Sequence, residues 1–217
     1  MWNVARFISQ FEFPKEDTYK LEPIDIAILE KLDDLILECK NSFKQLDPFD
    51  ASKSIRYFVW DLFAGHYIEA VKPRVYNRDN DFKSDSSKGA IYTLYQVLDC
   101  VIKLLAPIAP FVTEEIYQKI PHDKKSINLE DYPIFKGYER KYSTVFDKFM
   151  QVNSLIWNYK KTKSLSLASA ISELCLTPKL EVFGKEIVSM HKATTIRYDF
   201  KSIEGFEKLS EDVYIKL

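Results

Sequence analysis

Glycine is the residue that this sequence lacks most clearly, with only five among 217 residues. Strand-rich folds with many tight turns use glycine freely, and loops that cradle a phosphate need several glycines in a short window. The five glycines here lie far apart, at positions 65, 89, 137, 184 and 205. The shortage therefore favours helices and argues against a nucleotide-binding enzyme core within these residues.

Cysteines and long apolar runs are also scarce. Cys39, Cys100 and Cys175 are too far apart for the paired spacing of a zinc site, and an odd number of cysteines suits a reducing compartment. No apolar run approaches the ~18 residues of a membrane span, and residues 1–10 lack the features of a signal peptide. We therefore expect a cytoplasmic protein without a membrane segment.

Groups of side chains suited to catalysis or metal binding are missing as well. The three histidines, at positions 66, 122 and 191, have no second functional group suggested beside them. Asp33–Asp34 and Glu114–Glu115 are paired acids, but adjacent helix residues point in different directions, so surface charge is the simpler interpretation. We predict no catalytic residue and no metal site in this chain.

Apolar residues at helical spacing are abundant. Between Ile91 and Leu105 they recur at intervals of three and four residues, which places them on one helix face. The same spacing predicts helices over residues 2–11, 23–46, 113–120 and 145–159, and one from about residue 50 that kinks or ends at Pro73. Residues 77–88, which include Asp79, are polar and predict a surface loop, and residues 121–138 predict an extended crossing segment.

The pattern changes in the last part of the chain. Partial alternation predicts strands over residues 172–177, 194–200 and 213–217, while residues 182–191 fit a helix. The predicted fold is mainly α, an antiparallel helical bundle followed by a small α+β module. We divide the chain into residues 1–138, the bundle with its trailing extended segment, and residues 139–217, a basic helix plus the module.

Charge is distributed unevenly, although the formal net charge is only −1. Residues 1–120 carry 15 basic and 19 acidic side chains, whereas residues 140–163 carry six basic side chains against one acid, Asp147. A basic run is either a solvated helix face or a surface for a polyanion, and the charge pattern alone leaves both open.

Aromatic rings stand beside cations and amides in two places. Trp2, Asn3, Arg6 and Phe7 fall within two helical turns, and residues 72–76 form a second such cluster. Single-stranded RNA is bound by stacking on aromatic rings and by hydrogen bonds to base edges. The combination is not specific to RNA, and ordinary capping and packing of the rings is the simpler interpretation from the residues alone.

Several segments, taken in order, resemble the C-terminal region of class I valyl-tRNA synthetases of the archaeal type. The helix WNVARF at residues 2–7 is similar to the helix that follows the catalytic core. Residues 63–76 are similar to the family segment WYIE-x-VKPRLY, although Gly65–His66 replaces a bulky pair there. LLAPIAPFVTEEIY at residues 104–117 matches a segment shared by valyl, isoleucyl and leucyl enzymes. The "SI…WP" and "NYKS" segments of the group find counterparts near residues 126–133 and 158–161.

This resemblance implies that the bundle binds the anticodon stem-loop of tRNA. Arg6 and Phe7 lie on the helix that faces the anticodon in that family, Arg6 to donate to a base edge or a phosphate and Phe7 to stack on a base, with Asn3 beside them. Packing with Val4 and Phe11 would instead bury Phe7. The other RNA-binding candidates are the basic side chains Lys72, Arg74, Lys160, Lys161 and Lys163. Structural ion pairs and plain solvation remain the alternatives for these five.

The resemblance also implies what lies outside this chain. The HIGH-type and KMSKS-type signatures of the ATP site are absent, so we expect a piece of a longer enzyme that is inactive alone, binds no cofactor and is monomeric. The full enzyme would have an upstream catalytic domain that joins valine to tRNA with ATP and Mg²⁺. The alternatives are the equivalent region of an isoleucyl or leucyl enzyme, and a helical protein-interaction module without RNA binding.

Overall fold

The structure is a computed structural model that describes residues 1–15, 18–78, 80–200 and 203–216. Helices occupy most of these ranges, and the strands are confined to residues 171–216. The α-helices are α1 Trp2–Ile8, α2 Pro23–Lys44, α3 Pro48–Tyr57, α4 Glu69–Tyr76, α5 Ser84–Leu105, α6 Pro110–Tyr117, α7 Ser143–Thr162 and α8 Gly184–His191. The strands are β1 Ile171–Leu176, β2 Ala193–Arg197, β3 Glu207–Ser210 and β4 Val213–Lys216. None of the helices in these ranges combines the length and the apolarity that a bilayer crossing needs.

Helix α2 is the central element of the bundle. Pro23 begins it, where the missing N–H costs nothing, and Glu22 and Asp25 form a reciprocal capping box. The predicted apolar face is buried from Ile28 to Cys39, whereas Leu46 is 89% exposed and lies beyond the end of the helix. Asp47 caps α3 by accepting from the backbone N–H of Asp50, so α3 begins directly after α2 ends.

The helix after α3 is longer and less regular than the sequence suggests. Residues Phe58–Ile68 are π-helical and join α3 to α4, and Pro73 lies within α4 rather than ending the helix. The prediction that the helix ends at Pro73 was therefore wrong, while the alternative of a kink there stays a prediction. A Cβ at Gly65 would lie 2.9 Å from the carbonyl oxygen of Trp60, which accounts for a glycine at this departure from the family pattern.

Helix α5 begins several residues earlier than predicted. The predicted loop was wrong for residues 84–88, which form the first turn of α5. The reason is a close tertiary contact: a Cβ at Gly89 would lie 1.9 Å from the carbonyl oxygen of Lys20, and the Lys20 backbone N–H donates to the carbonyl of Asp85. The part of the prediction that rests on Asp79 lies outside the described residues.

Two carboxylates of α2 hold the crossing segment that leads into α7. Asp33 accepts hydrogen bonds from the backbone N–H groups of Lys136, Gly137 and Tyr138. Glu30 accepts from the backbone N–H groups at the start of α7, where a negative charge also suits the helix dipole. Asp33 is buried, so the prediction that it is a surface charge was wrong.

The last part of the chain is the predicted α+β module. Its four-stranded sheet has the order β2–β1–β4–β3, with β1 and β2 parallel and the other pairs antiparallel. Residues 178–183 form a 3₁₀ turn that leads into α8, the helix joining β1 to β2. The strand β3 was not predicted, and the end of the last predicted strand, Leu217, lies outside the described residues.

Helix α7 connects the module to the bundle. Phe146 and Phe149 are fully buried on its apolar face, and burial of such a side chain stabilises by roughly 1.5–3 kcal/mol. The Lys31 ammonium lies 2.7 Å from the Asp147 carboxylate, and the rings of His66 and Trp157 stack with centroids 5.3 Å apart. The mainly α fold with a trailing α+β module is confirmed, while the division at residue 138 stays a prediction.

Candidate nucleic-acid interface

The exposed face of α1 carries the first group of predicted residues. Ala5 and Ile8 are buried on the opposite side, and with 3.6 residues per turn this turns Trp2, Asn3 and Arg6 toward solvent. Within the described residues, neither the Arg6 guanidinium nor the Asn3 amide is engaged in a hydrogen bond or an ion pair with another side chain. The α1 face therefore presents free donors beside a half-exposed indole ring.

A small cavity separates this face from α6. It has a volume of about 90 Å³ and is lined mainly by apolar atoms of Trp2, Arg6, Ile116 and Ile120, with Lys119 at its edge. The Lys119 ammonium is 3.0 Å from the Glu115 carboxylate, in a pair that is itself exposed. The sequence carried no signal for Lys119, because its place beside α1 depends on how α6 packs.

Phe7 lies at the other side of the α1 face and is half-buried. Its ring contacts the edges of Phe11 and Tyr76, with centroids 5.3 and 6.1 Å away, and the Lys72 ammonium lies 6.0 Å from its centre. Tyr76, 41% exposed, offers a more open ring than Phe7. Arg78 lies over that ring at 5.1 Å, so the cluster extends beyond the predicted residues.

Arg74 does not contribute to this surface. It is 1% exposed, and its guanidinium pairs with both carboxylate oxygens of Asp25, which also accepts from the Tyr67 hydroxyl at 2.7 Å. Burial disfavours the charge, but the attraction of Asp25 outweighs it and raises the pKa of Arg74. The prediction that Arg74 contacts RNA was wrong: it ties α4 to α2 as the alternative ion-pair interpretation required. Lys72 pairs with Glu69 but remains partly exposed.

Lys160 is also buried, contrary to its predicted role. Its ammonium donates to the carbonyl oxygens of Leu167 at 3.0 Å, Ser169 at 2.7 Å and His191 at 3.4 Å. These three bonds use all its donors, and the side chain has no exposed surface. The prediction that Lys160 contacts RNA was therefore wrong, because this lysine fastens the loop after α7 and the end of α8.

The other two lysines of α7 are exposed but differ in their partners. Lys163 lies 2.9 Å from the Glu207 carboxylate and 5.3 Å from the centre of the Tyr159 ring. Lys161 is solvated and makes no side-chain ion pair in the described part of the chain. Among Lys160, Lys161 and Lys163, only Lys161 has a charge without a protein partner in the described part of the chain.

His191 and the three cysteines lie inside the core. Across the described ranges, no group of three His, Cys, Asp or Glu side chains is placed to hold a metal ion. Burial and then the charge of Lys160 lower the pKa of His191 to about 3, and its ring nitrogen Nε2 lies 2.8 Å from Asn153 Oδ1 inside the core. The three free cysteines are buried, and burial raises the pKa of each thiol.

Comparison with known proteins identifies the family of this chain. The family model described as the anticodon-binding domain of tRNA ligases matches residues 25–175. The chain is 33% identical over 202 residues to the valine–tRNA ligase of Pyrobaculum aerophilum, covering 91% of this chain and 24% of that protein. It is 29% identical over 212 residues to that of Aeropyrum pernix, covering 96% and 26%, and 30% identical over 211 residues to that of Fusobacterium nucleatum, covering 89% and 24%.

The chain thus spans about a quarter of the length of the curated relatives it matches. The match to the family model covers well over half of the chain, and the relatives named above are all valine–tRNA ligases. The resemblance to the anticodon-binding region of valyl-tRNA synthetases is confirmed, and the chain belongs to the family of anticodon-binding domains of tRNA ligases.

Proposed function

We propose that this chain binds the anticodon stem-loop of tRNA(Val) through the exposed face of α1, as part of a valine–tRNA ligase. The observation that carries the proposal is the pair of donors on α1. Arg6 and Asn3 are solvated without side-chain partners among the described residues, next to the 45% exposed ring of Trp2. Free donors beside an aromatic ring are what recognition of an unpaired RNA base requires.

Each side chain of the α1 face has a physical role in this proposal. The Trp2 ring stacks on an unpaired base, and the small cavity toward α6 accepts part of the edge of that base. Arg6 donates to a base edge or to the adjacent phosphate, and the Asn3 amide supplies both a donor and an acceptor. Phe7, being half-buried, supports Tyr76 and Lys72 rather than stacking on a base itself.

The remaining parts of the proposal concern the larger enzyme. A catalytic domain in the same chain would join valine to the docked tRNA with ATP and Mg²⁺, while these residues hold the tRNA and take no part in the chemistry. Docking at α1 would add binding energy remote from the reacting groups, which positions the substrate. We propose that the protein works in the cytoplasm as a monomer.

The proposal is tested by titrating the chain with tRNA(Val) at several salt concentrations. A tRNA of the same length with a changed anticodon, and tRNA(Ile), serve as competitors. We expect tighter binding of tRNA(Val) at every salt concentration, with affinity falling as salt rises because phosphates are contacted. Equal affinity for tRNA(Val) and the anticodon variant would overturn the proposal, and a preference for tRNA(Ile) would reassign the enzyme.

A further inference from the structure

An open cleft lies between the bundle and the α+β module. Its volume is about 690 Å³, within the range of about 300–1,000 Å³ typical of ligand sites. The bundle contributes the end of α4 and the loop after it, and the module contributes the end of α8 and the start of β2. Of the residues predicted to bind RNA, only Lys72 lines this cleft.

The charges that line the cleft are mostly positive. Lys72, Arg78 and Lys192 face Asp81, the one acid among its lining residues. Lys72 is committed to Glu69, whereas Arg78 and Lys192 are exposed and form no ion pair within the described ranges. Two solvated cations on opposite walls thus remain available to an anion.

The cleft begins where the α1 face ends. Tyr76 lines it, and the Tyr76 ring contacts Phe7 with centroids 6.1 Å apart. The Lys72 ammonium lies over the Phe7 ring on one side and faces the cleft on the other. The α1 face and the cleft therefore adjoin through Phe7, Tyr76 and Lys72.

The walls also restrict what the cleft can hold. The carboxyl ends of α4 and α8 both open onto it, and their carbonyl dipoles disfavour anions, so an anion in the cleft needs the cations of both walls to hold it. Hydroxyl groups of Ser189 and Thr194 offer neutral hydrogen bonds along one wall. A chain of phosphates that engages both cations and the hydroxyls together fits better than a lone phosphate.

We propose that this cleft takes the sugar–phosphate backbone of the tRNA strand that leads away from the bases held on α1. The inference rests on the proposed function, since it places the same RNA on a second surface. Arg78 and Lys192 contact successive phosphates from the two walls, and Tyr76 lies under the adjoining sugar. The module thereby acts as a backbone clamp and does not read sequence.

The test compares two double variants of the whole chain with equal loss of charge. The first, Arg78→Gln with Lys192→Gln, removes the free cations of the cleft. The matched control is Lys53→Gln with Lys208→Gln, on α3 and on β3, the strand at the sheet edge opposite β2. Affinity for tRNA(Val) and for its anticodon variant is measured between 50 and 300 mM salt, roughly the range in which counterion release dominates.

We expect the cleft variant to bind both tRNAs more weakly by a similar factor. Its slope of log affinity against log salt should be shallower by about 1.4, or ~0.7 for each lost contact to a single strand. The control should keep the original slope. Equal slopes in the two double variants would overturn the cleft proposal.

Failure of the cleft and failure of the proposed function give different results. If the unchanged chain discriminates between anticodons while both double variants keep its slope, the function stands and the cleft does not. If the cleft variant loses slope but the unchanged chain does not discriminate, the cleft is an RNA site and anticodon reading is wrong. Absence of any tRNA binding by the unchanged chain would overturn both.

Discussion

Arg6 and Arg74 carry the same guanidinium group, but one lies in an exposed region of the molecule and the other in a buried one. Arg74 is enclosed between α2 and α4 and paired with Asp25, whereas Arg6 stands on the open face of α1. Lys160 and Lys161 repeat the contrast on adjacent positions of α7. The difference shows that a cation in a family motif is available to an RNA only where the chain does not already supply its partners.

The largest expected effect is the loss of stability when the buried Arg74–Asp25 ion pair is removed. Arg74→Met should lower the free energy of unfolding by about 3–5 kcal/mol, because it leaves the Asp25 charge buried without its partner. Urea denaturation measures the loss, with Arg6→Met as the matched control that should leave stability unchanged. The double variant Asp25→Asn with Arg74→Met should recover part of the loss, since the unpaired charge is gone. A loss under about 1 kcal/mol in the single variant would contradict the structural role of this pair.

On α7, the variant Lys160→Met tests the same difference between a buried and an exposed cation. We expect a loss of about 2–3 kcal/mol in the free energy of unfolding, because carbonyl groups that the ammonium satisfied are left buried and unpaired. Lys161→Met, on the neighbouring exposed position, should cost almost nothing. If Lys160→Met left stability unchanged and instead weakened tRNA binding, the buried placement would be wrong.

Acid should weaken the junction around His191 by a smaller amount. Its pKa is about 3 in the fold, held down by burial and by Lys160, against about 6.5 in an unfolded chain. The unfolded chain therefore binds the extra proton first, so the stabilising contribution is complete above pH 7 and is lost as the pH falls below about 6.5. Between pH 7 and 5.5 we expect a loss of about 1 kcal/mol.

Thermal unfolding of the chain and of His191→Gln over that pH interval measures this contribution. The variant is expected to start from lower stability and to show a flatter pH dependence. His66, whose pKa burial also lowers despite the opposing charge of Asp61, adds to the same slope and gives a second variant to compare. An identical pH dependence in the chain and in His191→Gln would contradict the assignment.

The smallest expected effect concerns the exposed pair of Lys163 and Glu207. Both side chains are solvated, and exposed ion pairs of this kind contribute little. Glu207→Gln should leave the midpoint of thermal unfolding unchanged within error. It removes the partner of Lys163, so the salt dependence of tRNA binding should become slightly steeper if α7 lies near the RNA. No change in that slope would place Lys163 outside the interface, while Lys161→Gln tests the free lysine beside it.

Much of the architecture follows from local signals in the sequence. Apolar spacing predicted α2, α5 and α7, and Pro23 marked a helix start, because these features depend on neighbours within a few residues. The π-helical segment was not predicted, because its extra residue per turn leaves no distinctive apolar period. The early start of α5 depends on the close approach of Lys20 to Gly89, which the local sequence does not encode.

In the candidate site, too, some residues could be placed from local sequence and others could not. Exposure of Asn3 and Arg6 follows from the helical phase set by Ala5 and Ile8, so the sequence could place them. Burial of Arg74 depends on Asp25, which lies 49 positions away along the chain, and no spacing rule connects the two.

Lys192 was missed for a related reason. It follows α8 in a left-handed conformation, with φ of 52°, and reaches the cleft only because the module packs against α4. Its role depends on tertiary packing, which composition does not report.

The most direct test of anticodon reading by the α1 face is a double-mutant cycle between Arg6 and the anticodon. Affinities of the chain and of Arg6→Ala are measured for tRNA(Val) and for its anticodon variant at one salt concentration, with folding checked by circular dichroism. We predict that Arg6→Ala weakens binding of tRNA(Val) by about 1–3 kcal/mol and that of the variant far less, so the preference for the valine anticodon largely disappears. A preference that survives unchanged in a folded Arg6→Ala protein would contradict anticodon reading by the α1 face.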